Sequence, residues 1–536
     1  MHLCTLITAF GRGFFSYENM CRRIPWAIPI DQVINVQIHI KGIEDERLIR
    51  PLTNITNLFF EESSLSFTAR EEDRFTVDFT IKTDDVISAE AVLTSLEESR
   101  QWTSFIEQEA LPENELHKQI KEAVSKAYLQ VLQEEEGIIQ KWGILTGIRP
   151  TKLLHKKMRE GGGIEEMHKF LQDQYFISPE KIQLMQKIVD TQLKAVPDLY
   201  SLGKEVSIYI GIPFCPTKCA YCTFPAYAIN GRQGSVDSFL GGLHYEMKAM
   251  GKWLKENGIR ITTVYFGGGT PTSITAEEMD MLYEEMYESF PDVKNIREIT
   301  VEAGRPDTIT PEKLEVLTKW NIDRISINPQ SYIPQTLKAI GRHHTVEETI
   351  EKFKLAREME MKNINMDLII GLPGEGTKEF QYTLDETEKL MPESLTVHTL
   401  SFKRASEMTR NKQKYQVAGR TEAEEMMKMA ENWTASHGYT PYYLYRQKNI
   451  LGNLENVGYS MPGQESIYNI MIMEEMQTII GIGCGAASKF IHPETGKITQ
   501  FANPKDPKSY NDSFEKYTAD KIRLLEETFS ITNTLI

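Results

Sequence analysis

The stretch YIGIPFCPTKCAYCTF, residues 209–224, decides how this chain is interpreted. It opens with an alternating apolar run that is typical of a β-strand and continues into a loop carrying Cys215, Cys219 and Cys222. The chain has six cysteines, so half of them lie in this one loop. Thiolates at such short spacing can share one metal centre. The pattern therefore predicts a metal or iron–sulfur site directly after a strand.

The spacing of the three cysteines alone leaves three alternatives. A [4Fe–4S] cluster with three cysteine ligands keeps one iron open to a substrate or cofactor. A structural zinc ion needs a fourth ligand, which only a distant residue such as His244 or Cys484 can supply. A disulfide is disfavoured by the odd number of cysteines and by their concentration in one loop. The spacing favours the cluster, and zinc is the second alternative.

Size and composition indicate a globular protein with a small-molecule partner. The chain has 536 residues, 40% of them hydrophobic and 25% charged, which suits about three domains. Its net charge of −16 argues against binding to nucleic acid or to anionic membranes, because both require clustered positive charge. No apolar run reaches the roughly 18 residues of a membrane span. The first ten residues lack the basic region of a signal peptide, so we expect a cytoplasmic protein.

The hydrophobic pattern changes along the chain and divides it into four predicted parts. Strand-like runs and then long helical segments fill the chain up to about residue 200. Short apolar strands alternate with amphipathic helices up to about residue 410, and the pattern loosens afterwards. We predict an irregular extension, an α+β accessory domain, an α/β core and a C-terminal region packed on that core, over residues 1–35, 36–200, 201–410 and 411–536.

The core is predicted to be an open barrel of parallel strands. Alternating strands and helices imply right-handed βαβ units, and six such units suggest a partial barrel. Chemistry in barrels of this kind lies at the C-terminal ends of the strands. The predicted strands are VSIYIGI (206–212), TTVYF (262–266), EITVEA (298–303), RISIN (324–328), INMDLII (364–370) and LTVHTL (395–400).

One basic segment lies in the accessory domain. Residues 151–159 read TKLLHKKMR and follow Pro150, which is a typical start of a helix. Lys152, His155 and the basic residues after them favour a solvated face of this helix. A docking surface for an acidic partner is the alternative.

Several motifs resemble the radical S-adenosylmethionine (SAM) superfamily. The cysteine loop resembles the signature of this superfamily, and its lead-in YI-x-IPFC is similar to that of the oxygen-independent coproporphyrinogen III oxidase group. The motifs FGGGTPT, VEAGRP, RISINPQS, GRHHT and NMDLIIGLPGE follow in order, so that the resemblance covers about residues 205–400. It implies an α/β fold built on a partial (β/α)6 TIM-like barrel, with the accessory domain and the C-terminal extension attached.

The resemblance implies a particular radical chemistry. Cys215, Cys219 and Cys222 would hold a [4Fe–4S] cluster whose open iron is chelated by the amino and carboxylate groups of SAM. An electron from the cluster would cleave the sulfonium to methionine and a 5′-deoxyadenosyl radical. The protein would position and shield these cofactors, and flavodoxin or ferredoxin would deliver the electron.

The resemblance also implies which residues surround SAM at the strand ends. Arg342 suits the SAM carboxylate through fork-like hydrogen bonds, whereas Glu302 and Asp367 suit ribose hydroxyls or cationic groups. Gly268 and Gly269 are expected to let backbone amides approach the cofactor because they lack side chains. The implied SAM contacts are Tyr209, Tyr221, Gly268, Gly269, Thr270, Glu302, Gln330, Arg342 and Asp367.

The substrate implied by the resemblance is a tetrapyrrole of anaerobic haem biosynthesis, with oxidative decarboxylation of coproporphyrinogen III as the reaction. Two positions depart from the oxidases of this group, which carry another cysteine where residues 223–225 stand here and a histidine in place of Gly211. A related branch consists of haem chaperones with an HNxxYW motif, and the comparable IYNIMIM, residues 467–473, lacks its His and Trp. A tetrapyrrole carrier without turnover and a zinc-stabilised adaptor are therefore alternatives.

Overall fold

The computed structural model describes most of the chain after residue 35. The predicted irregular extension, residues 1–35, lies outside the described part, so its structure stays a prediction. The described residues are 36–60, 62–95, 100–109, 113–147, 149–229, 234–402, 406–411 and 414–530. Among them, no helix combines the length and apolar character that crossing a membrane requires.

The first part of the described chain is a five-stranded sheet in the order β2-β1-β3-β4-β5. Buried and exposed residues alternate along the longest strand, as expected for a sheet with one face packed on a core. Two helices and this face form a separate hydrophobic core. These elements are β1 (Val36–Lys41), α1 (Ile49–Thr56), β2 (Ser63–Ser66), β3 (Asp73–Thr83), β4 (Val86–Ser95), β5 (Gln101–Glu109) and α2 (Glu113–Glu136).

Three further helices follow, α3 (Thr151–Arg159), α4 (Ile164–Tyr175) and α5 (Pro179–Ala195). Their apolar residues belong to the hydrophobic core of the barrel and not to the core of the first sheet. The hydrophobic contacts therefore group these helices with the barrel, although the sequence pattern groups them with the strands before them. The predicted domain limits themselves remain predictions.

The six predicted strands form adjacent parallel strands of one sheet, in the order in which they occur along the chain. Helices connect them, as right-handed βαβ units require. The elements are β6 (Val206–Ile212), β7 (Phe214–Cys215), β8 (Tyr227–Ala228), α6 (Val236–Glu256), β9 (Ile261–Gly268), α7 (Ala276–Ser289), β10 (Glu298–Val301), α8 (Pro311–Lys319), β11 (Arg324–Ser326), α9 (Pro334–Ala339), α10 (Val346–Glu358), β12 (Ile364–Ile370), α11 (Thr377–Glu388) and β13 (Ser394–Thr399).

The C-terminal part extends this same sheet at both edges to eleven strands, in the order β14-β15-β13-β12-β11-β10-β9-β6-β16-β17-β18. In the looser pattern after residue 410, the aromatic segment TPYYLYRQ (440–447) predicts one of these five added strands, and a Gly-rich turn region is predicted after it. The structure instead forms four more strands there. The elements are α12 (Glu407–Arg410), α13 (Arg420–Ser436), β14 (Thr440–Tyr445), β15 (Asn456–Ser460), α14 (Ile467–Glu474), β16 (Thr478–Gly483), β17 (Ala487–Ile491), β18 (Ile498–Ala502), α15 (Pro507–Asn511) and α16 (Phe514–Thr528).

Helices α5 and α14 pack between the barrel strands and β14, the strand at one edge of the sheet. Helix α5 packs along β14, where the Gln192 side-chain amide donates a 3.0 Å hydrogen bond to the Tyr442 carbonyl oxygen. Tyr468 of α14 stacks on Tyr265 of β9, with 4.5 Å between ring centroids. An apolar cluster joins the end of α5, β14, α14 and β16. The accessory helices thereby help to close the barrel.

Glu298 at the start of β10 holds the N-terminus of α14. Its carboxylate accepts hydrogen bonds from the Ser466 hydroxyl at 2.9 Å and from the backbone N–H groups of Ile467 at 2.9 Å and Tyr468 at 3.1 Å. A carboxylate at a helix N-terminus satisfies unpaired N–H groups and suits the helix dipole. Because β10 starts at the end opposite to the cysteine loop, α14 closes the N-terminal end of the barrel.

The basic helix α3 is in part buried, which corrects the expectation of a solvated face. His155 has 0% exposure and contacts Gln192 and the Tyr200 hydroxyl through its two ring nitrogens. Lys152 forms an ion pair with Glu475 at the end of α14. Helix α3 therefore uses these two residues to bind the closing elements of the barrel.

Candidate functional site

The cysteine loop begins where β6 ends, at the C-terminal end of the first parallel strand. Cys215 lies in β7, which pairs with β8, so the loop folds back on itself. The Ile229 N–H donates to the Cys215 carbonyl at 3.1 Å, and the Cys222 N–H donates to the Cys219 carbonyl at 3.1 Å. Cys215 and Cys219 are buried and Cys222 is half-buried, and all three are thiols and not disulfides. The structure brings the three predicted cysteines together in one compact loop.

The thiols influence one another electrostatically. The pKa of Cys215 is raised to about 11, mainly by burial and to a smaller extent by the charges of Cys222 and Cys219, against the opposing hydrogen bond with Thr270. That bond joins the Cys215 sulfur and the Thr270 hydroxyl at 3.3 Å. Metal or cluster binding would stabilise the thiolate form of these cysteines, because it supplies positive charge to their sulfurs.

The two residues that could complete a zinc site are engaged elsewhere. The His244 Nδ1 atom lies 3.4 Å from a carboxylate oxygen of Glu285. The Cys484 thiol donates to the Pro504 carbonyl oxygen at 3.3 Å. Within the described ranges, no three His, Cys, Asp or Glu side chains are grouped to hold a single metal ion.

Arg305 anchors the cysteine loop, and the sequence reasoning did not select it. Its guanidinium binds Asp307 through two nitrogens, at 2.9 and 2.6 Å. The third nitrogen donates to the Thr217 hydroxyl at 3.0 Å and approaches the Cys219 sulfur at 3.8 Å. The sequence did point to this residue, because Arg305 lies in the motif VEAGRP, three residues after Glu302. A buried cation beside a ligand thiolate stabilises the charged form of that ligand.

The glycine loop after β9 packs against the cysteine loop, which corrects the reason given for its glycines. The Gly269 and Thr270 N–H groups donate to the carbonyls of Ile212 and Phe214, at 2.8 and 2.7 Å. A Cβ atom on Gly269 would lie 2.5 Å from the Phe214 oxygen, so a larger residue would separate the two loops. These amides are therefore occupied and do not point at a cofactor. An amino group of SAM would need acceptors here, and carbonyl oxygens can supply them.

A carboxyl group and two stacked tyrosines line the interior of the barrel. Burial, and after it the charge of Asp367, raise the pKa of Glu302 to about 8 against a hydrogen bond from the Gly268 N–H. The rings of Tyr209 and Tyr265 stack with centroids 6.1 Å apart. A Cβ atom on Gly267 would meet all three side chains at 2.9 to 3.0 Å. The predicted contacts Tyr209, Gly268 and Glu302 therefore lie together.

Asp367 on β12 is held by a set of hydrogen-bond donors. Its two carboxylate oxygens accept from the side-chain amides of Asn328 and Asn365, each at 2.8 Å. The His398 Nε2 atom lies 3.4 Å from the same carboxylate, and its Nδ1 atom is 3.2 Å from the Tyr445 hydroxyl. Burial acts to raise the pKa of Asp367, but His398 and the hydrogen bonds outweigh it and lower the pKa. His398 and Tyr445 are interior residues that the predicted set omitted.

Gln330 lies in the segment after β11, and Arg342 lies between α9 and α10. One guanidinium nitrogen of Arg342 donates to the Gly304 and Asn328 carbonyls, both at 2.8 Å, and another approaches the Tyr221 hydroxyl at 3.4 Å. Gln330 has a left-handed backbone with φ of 66°, which is strained for a residue other than glycine. Arg342 thus binds the strand ends and Tyr221 of the cysteine loop, so only part of its fork can reach a ligand.

The residues fit the two cofactors that the cysteine loop suggests. Three thiols provide the sulfur ligands of a cluster. Two buried polar atoms, the Gln330 side-chain oxygen and the Arg342 Nε atom, lack a hydrogen-bond partner among the described residues. Unsatisfied buried polar groups are costly and commonly mark a ligand or water site. Gln330 lies beside Asp367, because its backbone N–H donates to the Asp367 carbonyl oxygen at 2.9 Å. The Arg342 guanidinium bonds the carbonyl of Gly304, two residues after Glu302.

Comparison with known proteins identifies the family. A family model described as the radical SAM superfamily matches residues 209–387. The chain is 68% identical over 500 residues to the oxygen-independent coproporphyrinogen-III oxidase-like protein HemZ of Bacillus subtilis, covering 93% of this chain and 99% of that protein. It is 29% identical over 282 residues to the heme chaperone HemW of the same organism, covering 52% of this chain and 70% of that one.

Among solved structures, coproporphyrinogen III oxidase (HemN) from Escherichia coli aligns over 61% of this chain and 72% of its own, with 20% identity and a TM-score of 0.48. Radical SAM proteins use a [4Fe–4S] cluster and SAM, and these are the cofactors of this protein. The chain belongs to the radical SAM superfamily and, within it, to the family of oxygen-independent coproporphyrinogen-III oxidase-like proteins that includes HemZ.

Proposed function

We propose that this protein is an oxidoreductase that converts a propionate side chain of coproporphyrinogen III, or of a related tetrapyrrole, to a vinyl group with loss of CO2. The observation that carries the proposal is the position of the cysteine loop. It brings three thiols to the mouth of a barrel that holds buried polar atoms with no hydrogen-bond partner among the described residues. The names of the HemZ and HemN relatives supply the substrate class.

The proposed roles divide between the loop and the barrel. Cys215, Cys219 and Cys222 hold the cluster, and Arg305 and Thr270 bond to two of these sulfurs. When bound, the cofactors would supply a carbon-centred radical that removes one hydrogen atom from the propionate side chain. Loss of CO2 would then leave the vinyl group, with the carboxyl proton passing to solvent and one electron passing to a one-electron acceptor. The protein orients the reacting groups and excludes water from the barrel.

The groups proposed to contact SAM are side chains inside the barrel and the backbone of the glycine loop after β9. Tyr209, Tyr221 and Gln330 contribute aromatic and amide surface, and Gly268, Gly269 and Thr270 contribute backbone. Glu302 and Asp367 suit the ribose hydroxyls and the cationic groups of SAM, because charge-assisted hydrogen bonds are about twice as strong as neutral ones. Arg342 contributes its Nε atom, which has no hydrogen-bond partner in the described part of the chain, and its other nitrogens bond the segments after β10 and β11.

Anaerobic turnover with defined substrates tests this proposal. The reconstituted protein is incubated with SAM, dithionite and coproporphyrinogen III, and the products are analysed by mass spectrometry. We expect 5′-deoxyadenosine together with a porphyrinogen that has lost one CO2 and two hydrogens. Formation of 5′-deoxyadenosine with unchanged coproporphyrinogen III would reject the decarboxylation and keep the radical chemistry. Absence of 5′-deoxyadenosine from fully loaded protein would reject both.

A tetrapyrrole carrier is the second candidate, and similarity to heme chaperones over about half of this chain favours it. The segment comparable to the chaperone motif forms α14, whose Tyr468, Ile470 and Met471 are buried in the floor of the barrel. In this position the segment stabilises the barrel and offers no exposed haem ligand. Stoichiometric retention of haem without turnover would support the carrier and reject the decarboxylase.

A further inference from the structure

A chain of side-chain contacts runs from β12 to β14 on the inner side of the barrel. The His398 Nε2 atom lies 3.4 Å from the Asp367 carboxylate, and its Nδ1 atom lies 3.2 Å from the Tyr445 hydroxyl. A carboxylate beside Nε2 favours the tautomer with its proton on that nitrogen, so that Nδ1 accepts the Tyr445 O–H. We call Asp367, His398 and Tyr445 the interior triad. It forms a continuous path for a proton from the Tyr445 oxygen to the His398 ring.

Tyr445 reaches the barrel interior across a neighbouring strand. Strand β15 lies between β13 and β14 in the sheet, and a Cβ atom on its Gly458 would overlap the ring of Tyr443. The rings of Tyr443 and Tyr445 are nearly parallel, with centroids 6.5 Å apart. The Tyr443 hydroxyl lies 3.1 Å from the Thr396 hydroxyl, on the same strand as His398. The missing side chain of Gly458 therefore lets two tyrosines of an edge strand contact β13.

The interior triad borders a space inside the barrel. His398 belongs to β13, which has a neighbour on both sides, and yet 25% of its side chain is exposed. Tyr445 and Glu302 are half-buried as well. Burial, and after it the charges of Asp367 and Glu302, raise the pKa of Tyr445, so its hydroxyl keeps its proton. These side chains therefore face a common space in which a ligand group can meet the Tyr445 hydroxyl.

A carboxylic acid in this space needs a base before it can lose CO2. Burial, and after it the charge of Asp367, raise the pKa of Glu302 to about 8. A propionic acid group in the same space would hold its proton for the same reason. The pKa of Asp367 is lowered, but three nitrogen atoms already face its oxygens. His398, with a lone pair on Nδ1, is therefore the group suited to take up the proton.

We propose that the interior triad is the base of the reaction and takes the carboxyl proton of the substrate through the Tyr445 hydroxyl. This inference rests on the proposed function, because it assigns one step of the decarboxylation. The carboxyl proton moves to the Tyr445 oxygen while the Tyr445 proton moves to the His398 Nδ1 atom. Asp367 stabilises the resulting imidazolium, which later releases the proton to solvent.

The bonds and electrons of this step balance once one hydrogen atom has left the propionate side chain. The carboxyl O–H bond and the C–C bond to the carboxyl carbon both break. The O–H electron pair stays with CO2. The unpaired electron and the C–C pair make three electrons, of which two form the vinyl double bond and one passes to a one-electron acceptor. The triad itself gains and loses only a proton.

Tyr445→Phe and His398→Gln test the triad, because both keep the shape of the interior and neither can pass the proton on. The reconstituted proteins receive SAM, limiting dithionite, methyl viologen as the one-electron acceptor and coproporphyrinogen III deuterated at the propionate β-carbons. We expect deuterium in 5′-deoxyadenosine from wild type and from both variants. The yield of vinyl product at pH 7 should fall about a hundredfold in the variants, with KM unchanged.

The matched control is Tyr443→Phe, which removes a hydroxyl from the neighbouring parallel ring. That hydroxyl bonds to Thr396 and its residue is buried, so the control should keep the wild-type yield of vinyl product. His398→Gln adds a second control, because Gln still forms hydrogen bonds but takes up no proton. A purely structural role of His398 would leave this variant active.

The pH profile of vinyl formation from pH 6 to pH 9 separates proton transfer from packing. Low pH protonates His398, which then has no lone pair for the substrate proton, so the wild-type rate should fall towards pH 6. His398→Gln should lack this fall. The titratable side chains that face the contact are Asp367 of β12, Glu302 after β10 and Tyr443 of β14. All three stay in this variant, so the difference between the two profiles reports His398.

Binding of coproporphyrin III, an aromatised tetrapyrrole that does not turn over, gives a readout without catalysis. Its fluorescence quenching by the reconstituted protein is measured without reductant. Tyr445→Phe should weaken binding about two- to tenfold, because it removes one hydrogen bond to a ligand carboxyl group. Tyr443→Phe should leave the affinity unchanged. Equal affinities of the two variants would contradict the contact between Tyr445 and the ligand.

The turnover results distinguish the triad from the proposed function. Vinyl product formed by both Tyr445→Phe and His398→Gln at the wild-type ratio to 5′-deoxyadenosine would overturn the triad and keep the decarboxylation. Absence of vinyl product from the wild-type protein would reject the proposed function and the base together. In that case the two Phe variants would still decide whether Tyr445 contacts a tetrapyrrole carboxyl group.

Discussion

Replacement of Glu302 by Gln tests whether a carboxyl group inside the barrel controls SAM binding. Burial and the charge of Asp367 raise the pKa of Glu302 to about 8. About a tenth of the protein then carries the Glu302 carboxylate at pH 7 and about nine tenths at pH 9. A cationic ligand that requires the carboxylate binds with an apparent dissociation constant divided by that fraction. We expect the SAM affinity of the wild-type protein to rise about ninefold between these pH values.

Equilibrium dialysis of radiolabelled SAM against the reconstituted protein, at pH 7, 8 and 9, measures this effect. Glu302→Gln keeps the size of the side chain and an oxygen that can accept the Gly268 N–H. Because SAM itself titrates in this range, the informative quantity is the difference between wild type and variant. We expect the variant to lack the ninefold rise in SAM affinity that ionisation of Glu302 causes between pH 7 and pH 9. We also expect it to bind SAM more weakly than wild type at pH 9. An equal pH dependence in both proteins would refute the role of Glu302.

The SAM-free protein provides a second measurement of the same carboxyl group. The folded state keeps the Glu302 proton between the ordinary pKa of 4.5 and the raised pKa of about 8, whereas the unfolded state loses it. Stability therefore falls as pH rises through this window, by at most about 5 kcal/mol. We expect Glu302→Gln to reduce this fall, as measured by the thermal unfolding midpoint from pH 5 to pH 9. Parallel midpoints for the two proteins would show that the pKa is not raised.

Three further predictions concern the loop and the attachment of the C-terminal helix. Cys219→Ala should abolish cleavage of SAM, measured as 5′-deoxyadenosine; retained cleavage would be incompatible with a cluster on three thiolates. Arg305→Gln should lower the iron and sulfide bound after reconstitution, because it removes the cation beside Cys219 and the bidentate pair with Asp307; full cluster content would contradict this anchoring role. Lys521→Met should lower the free energy of unfolding in urea by about 3 to 5 kcal/mol, because it leaves the Glu246 carboxylate buried without its cation. A change below about 1 kcal/mol would show that Asn503, the Tyr510 hydroxyl and a backbone N–H suffice for Glu246.

Local patterns in the sequence were enough to predict the six parallel strands. Each strand is a short apolar run between turn residues, and each is followed by an amphipathic helix, so the βαβ rule determines its neighbours. The resemblance to radical SAM proteins implied Glu302, Gln330 and Asp367 as SAM contacts. The structure brings these three residues to the same region of the barrel.

Contacts distant in sequence could not be predicted in this way. β16 pairs in parallel with β6 although some 270 residues separate them, and nothing in its own pattern TIIGIG distinguishes a central strand from a turn region. The same reason applies to Arg305, whose role depends on a loop about 86 residues earlier in the chain. The backbone amides of the glycine loop were expected to face a ligand, whereas the Gly269 and Thr270 N–H groups donate to carbonyls at the start of the cysteine loop.

The sequence by itself determined the cysteine spacing and the order of the barrel strands, because these are properties of residues close along the chain. Only the tertiary structure decided that Arg305 anchors the cysteine loop, that α14 closes the barrel floor and that Glu302 is buried enough to hold its proton. Burial and long-range pairing depend on how distant segments pack, so the raised pKa of Glu302 emerges only when the chain is folded.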